Sequence, residues 1–216
     1  MSPVESAAAR PGRARLGLQI LALYAALEGA LWTSDGAQSA FTVVVATIVI
    51  AATLRERPLW PILGIAPGSI RRGLWLAPVG VGIAGLILLR GWRAHTLHVP
   101  PDTWPAWLQA VAYLLWALVQ QFMLQSYLFT RLEALLGSGG AAVAATAILF
   151  AAAHIPNPVL MPVTFVGGLI LCELFRRYRT IYVLALAHAL VALSLSVSVP
   201  ESLLHHMRVG AAYFMR

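Results

Sequence analysis

Seven apolar runs follow one another along the chain, over residues 16–32, 38–54, 74–90, 107–129, 141–154, 158–175 and 181–199. Several reach the roughly 17–25 residues that an α-helix needs to cross the hydrocarbon core of a bilayer. In lipid, each backbone N–H and C=O has to be satisfied within its own segment, so runs of this kind fold as helices. The expectation is an all-α fold, a polytopic transmembrane helical bundle of about seven spans, six to eight at the limits. A content of 60% hydrophobic and 11% charged residues agrees, since soluble domains carry about 45–50% and about 25%. Only "HIPNP" separates the fifth and sixth runs. Pro156 and Pro158 deny the backbone a continuous helix there, so a tight hairpin is expected.

All fifteen positive charges are arginines, mostly at the ends of apolar runs. That placement reads as membrane topology, and no nucleic-acid partner is expected from the net charge of +7. In a seven-span arrangement eleven (Arg10, Arg13, Arg15, Arg55, Arg57, Arg71, Arg72, Arg131, Arg176, Arg177, Arg179) fall on one side and four (Arg90, Arg93, Arg208, Arg216) on the other. The positive-inside rule then puts the N-terminus in the cytoplasm and the C-terminus outside, in a bacterial-type inner (plasma) membrane. Trp32, Trp60, Trp75, Trp92, Trp104 and Trp107 sit near run ends, where an amphipathic indole suits the headgroup region. The first run follows "RPGRAR" without a small-residue cleavage site, so it is read as a retained helix. The domain plan is a disordered basic cytoplasmic N-terminus (1–15), a single transmembrane domain (16–199) and a short interfacial tail (200–216). Cys172, the single cysteine, excludes an intramolecular disulfide and reads as a small packing residue.

In so apolar a chain the informative residues are those that cost free energy at membrane depth. They are Glu28 in the first run, Gln120, Gln121 and Gln125 in the fourth, His154, Glu173 and His188. On an α-helix, Gln121 and Gln125 share a face and Gln120 is turned by about 100°. The glutamines suit interhelical hydrogen bonding, each bond worth about 0.6–2 kcal/mol. His154 in "FAAAHIPNP" and His188 in "LALAHAL" are flanked by alanines that permit close helix approach, and two such histidines suggest a shared polar site. HExxH, CxxC and an i, i+4 histidine pair in a span are all missing, so no cofactor is expected. A metal held by His154 and His188, with Glu173 as third ligand, stays open. GxSxG is missing too, and Ser126, Ser194 and Ser196 read as packing residues.

The order and spacing of these residues resemble the CAAX-protease and bacteriocin-processing (CPBP) family of intramembrane endopeptidases. Its three motifs are EExxxR, then FxxxH, then a later histidine often followed four residues on by a polar residue. "FAAAH" ends in His154, "FVGGLILCELFRRYRTIYVLALAHAL" carries His188, and "QQFMLQ" aligns Gln120 and Gln121 with the paired glutamates and Gln125 with the arginine. Ala192 stands at the late polar position. The resemblance covers about residues 105–195. It implies a multi-helix membrane protein in which a glutamate activates water for attack on a peptide bond and histidines stabilise the oxyanion. A glutamine amide cannot accept that proton. A peptidase would therefore need a substitute base, with Glu173, beside three arginines, ahead of Glu133 and Glu28. The competing expectation is a non-proteolytic member that binds or modifies a lipid or isoprenoid chain in the same pocket. Expected partners are membrane lipids and either a prenylated or amphipathic peptide or such a lipid ligand.

Overall fold

The computed structural model describes residues 12–33, 35–55, 59–99 and 105–215. Arg10, Arg57, Trp104, Arg216 and most of the expected N-terminal tail lie outside the described residues. Each apolar run forms a principal helix: α1 (Arg13–Leu31), α2 (Asp35–Leu54), α3 (Leu76–Arg93), α4 (Ala106–Leu136), α5 (Gly139–Ala152), α6 (Leu160–Tyr178) and α7 (Tyr182–Ser198). No strand occurs among the described residues. The fold is a helical membrane bundle. By length and composition α1, α2, α3 and α4 are apolar enough to cross a membrane alone. Helices α5 and α7 are shorter apolar helices, and α6 carries Glu173, Arg176 and Arg177 in its last turns. Arg13 and Arg15 already belong to α1, whose N-cap is Gly12.

The outer surface is apolar. Leu18, Ile48, Leu86 and Val166 are all more than half exposed. Water would make such a perimeter a liability, whereas lipid makes it the solvated face. Association of the helices then depends on close packing, and two glycines set it. A methyl group added at Gly80 of α3 would lie 3.1 Å from Ala187 Cα of α7, and one at Gly168 of α6 would lie 3.1 Å from Ala147 Cα of α5. Helix α5 thus lies against α6 and α3 against α7, and the hairpin expected at "HIPNP" joins the first pair.

Arginines from separate helices gather at one end of the bundle. Arg131 Nε donates to Gln19 Oε1 (3.2 Å), Arg72 Nη2 to the Arg179 carbonyl (3.1 Å), and Arg179 Nη2 pairs with Glu133 Oε2 (2.5 Å). At the other end the C-terminal segment folds back across the bundle. Asn157 Oδ1 accepts from the N–H groups of Val159 and Leu160 at the start of α6. Its Nδ2 donates to the carbonyls of Leu204 (2.8 Å) and Arg208 (3.1 Å), and Gly210 N–H donates to the Ile155 carbonyl (2.8 Å).

Gly80→Val should lower stability by about 1–3 kcal/mol, because Ala187 opposes it with backbone that cannot move aside. Gly82→Val, with nothing within 4 Å of its added carbon, should be close to neutral. Unfolding of the two variants in mild detergent compares them directly.

Candidate functional site

Helix α4 changes its winding where its polar residues lie. It is α-helical from Ala106 to Gln121 and π-helical from Phe122 to Phe129, then α-helical again to Leu136. The i→i+5 bonding of the π segment turns successive side chains through less than the 100° of an α-helix. Gln121 and Gln125, four residues apart, stay close to one face under either winding, yet they meet different neighbours. Both are 0% exposed. Gln121 Nε2 lies 2.7 Å from His188 Nδ1, whereas neither amide atom of Gln125 has a hydrogen-bond partner.

His154 sits just beyond the C-terminus of α5, and its Nδ1 is 2.6 Å from the Phe150 carbonyl one turn earlier. The Phe150 ring stands edge-on to both histidines, with centroids 4.9 Å from His154 and 6.1 Å from His188. The four-residue spacing of "FAAAH" thus does two things. It supplies the carbonyl that orients His154, and it sets one aromatic ring against both imidazoles.

Gln120, His154 and His188 line a common cavity of about 750 Å³. Its other walls are almost entirely apolar, with Tyr24, Tyr113, Thr42 and Thr164 adding hydroxyls and Trp116 a further ring. Exposed lining residues come from α3 (Val79 and Ile83) and α6 (Val163, Val166 and Ile170), so the cavity reaches the apolar perimeter between those two helices. Met207 and Val209 of the C-terminal segment close part of the end nearest His154.

The structure brings together Gln120, Gln121, His154 and His188, and it leaves Gln125 and Glu173 apart from them. Glu173 accepts from Arg176 (2.7 Å) and Arg177 (2.6 Å) near the end of α6. Glu133 pairs with Arg179, and Glu28 accepts from Trp32 Nε1 (3.2 Å). None of the three acids lines the cavity. Among the described residues no group of three His, Cys, Asp or Glu is placed to hold a metal ion. Ser126, Ser194 and Ser196 spend their hydroxyls on the carbonyls of Leu63, Val191 and Leu193. Sequence reasoning missed Tyr24, Tyr113 and Trp116, which carried no motif, and the role of Asn157. An asparagine between two prolines ahead of a helix was the available signal for the latter.

Residues 102–194 match the sequence model of a family described as type II CAAX prenyl endopeptidase Rce1-like. No curated protein and no solved structure matches the chain. The matched stretch contains Gln120, Gln121, Gln125, His154 and His188.

Gln121→Met should cost about 0.6–2 kcal/mol, since it leaves His188 Nδ1 without its donor. Gln125→Met removes two buried polar atoms that have no partner and should not destabilise. Equilibrium unfolding in mixed micelles would separate them, and equal losses would contradict the assignment of Gln121 as the bonded member.

Proposed function

We propose, for a chain that belongs to the Rce1-like family through its residues 102–194, that the cavity binds an elongated apolar chain of the isoprenoid or lipid class without hydrolysing peptide bonds. One observation carries this reading. Among the described residues the cavity is lined by no aspartate or glutamate, and the positions that resemble the family's carboxylates are amides. Hydrolysis by activated water needs a group that takes up a proton and an oxyanion held by donors. Gln120 and Gln121 cannot take up that proton, and His154 and His188 stand at the positions that the resemblance gives to oxyanion stabilisation. Ala192 lines the cavity at the position that resembles the family's late polar residue, and its methyl group donates nothing.

The apolar walls and the mouth at the lipid-facing perimeter suit a ligand that arrives from the bilayer. A chain entering there leaves lipid for an equally apolar surface, so its affinity rests on fit and on the polar groups at its end. The arginine-rich end of the bundle supports a cytoplasmic N-terminus in a bacterial-type inner membrane, by the positive-inside rule.

Two experiments test this. Radiolabelled farnesyl methyl ether should bind the protein in nanodiscs, and Gly167→Trp should abolish binding with the fold intact. Gly167 lines the cavity and has nothing within 4 Å of an added carbon, so the indole has room to fill the ligand's place. A farnesylated peptide should be recovered uncleaved by mass spectrometry. Cleavage that His154→Ala abolishes would establish a peptidase and sink this reading. His154→Ala and His188→Ala should each abolish function while leaving membrane insertion unchanged.

A further inference from the structure

The two cavity histidines hold their protons on opposite nitrogens. A backbone carbonyl only accepts, so the 2.6 Å contact with Phe150 O puts the proton of neutral His154 on Nδ1 and leaves Nε2 as an acceptor. An amide nitrogen only donates, so the 2.7 Å contact with Gln121 Nε2 makes His188 Nδ1 the acceptor and puts that ring's proton on Nε2. Among the described residues neither Nε2 has a hydrogen-bond partner, and neither is sealed in the core. Gln120 adds a third group. Its Oε1 is buried without a partner while its Nε2 is not, so the side chain offers the cavity an N–H.

The polar inventory of the cavity's histidine end is thus one acceptor, His154 Nε2, and two donors, His188 Nε2–H and Gln120 Nε2–H. We propose that this set recognises a hydroxyl group, and that the ligand is a long-chain or isoprenoid alcohol. A hydroxyl carries one donor and two acceptor lone pairs, which is the complement of that inventory. A carboxylate has no proton for His154 Nε2, and an ammonium has no lone pair for the two N–H groups. An ether or aldehyde likewise leaves His154 unpaired. The proposal rests on the reading that the cavity binds an apolar chain, and it adds what the chain ends in.

The test compares four probes of one chain length on the protein in nanodiscs: farnesol, farnesyl methyl ether, farnesoic acid and farnesylamine. Farnesol should bind about tenfold or more tightly than the other three. His154→Phe, which keeps a planar ring and removes the acceptor, should bring farnesol down to the ether's affinity. Gln121→Glu replaces the donor at His188 Nδ1 with an acceptor, so the proton moves to Nδ1 and Nε2 becomes an acceptor. That variant should lose the preference for farnesol and favour farnesylamine. Circular dichroism and elution as a single species check that each variant is folded. Equal affinity for all four probes would overturn the alcohol assignment and leave chain binding intact. So would a preference for farnesol that His154→Phe does not reduce. Failure of every probe to bind, the ether included, would overturn chain binding and the alcohol assignment together.

Discussion

The hydrogen bond between Gln121 Nε2 and His188 Nδ1 joins α4 to α7 through the apolar interior, and the chemistry of the cavity depends on it. A buried amide with no partner costs about 1–3 kcal/mol, so Gln121 is tied to the imidazole by the absence of alternatives in an apolar bundle. The bond settles which nitrogen of His188 faces the cavity and which proton it carries. Phe150 completes the arrangement by packing against both rings while its carbonyl takes the Nδ1 proton of His154. Three helices contribute to these contacts, and the close approach of α3 to α7 at Gly80 supports the last of them.

Charge is handled differently. The acids weighed as a substitute base stand outside the cavity, and Glu133 and Glu173 pair with arginines. The groups that face the cavity are amides, imidazoles and hydroxyls. An EExxxR arrangement would place two acids and a base at this depth, each depending on the others for compensation. Here all three positions are glutamines, so no charge is stranded. Gln125, where the pattern has arginine, has no hydrogen-bond partner for either amide atom. The polar groups that line the cavity are donors and acceptors suited to orienting a polar group.

Much of this was legible in the sequence. The apolar runs had to be helices because lipid offers the backbone no other partner, and each run is one. "FAAAH", "LALAHAL" and "QQFMLQ" pointed to residues that do come together, apart from Gln125. That Gln121 meets His188 while Gln125 meets no hydrogen-bond partner was not legible, because helix packing sets the neighbours of each, and the residues Phe122 to Phe129 have no pattern that separates π from α winding. Glu173 shows the limit from the other side. Its nearness to arginines was visible, but only the fold shows that α6 leaves it off the cavity wall while Val163, Val166 and Ile170 line it.

The sequence by itself therefore determined that the chain is a membrane bundle, where its helices run, and which few polar residues lie at depth. Those properties come from local composition and from the cost of leaving backbone groups unsatisfied in lipid. Tertiary structure alone decided which polar residues meet, which nitrogen of each histidine faces the cavity, and that the cavity reaches the lipid-facing perimeter between α3 and α6. These depend on helix rotation and packing, which bring together residues far apart in the chain and which local composition does not specify.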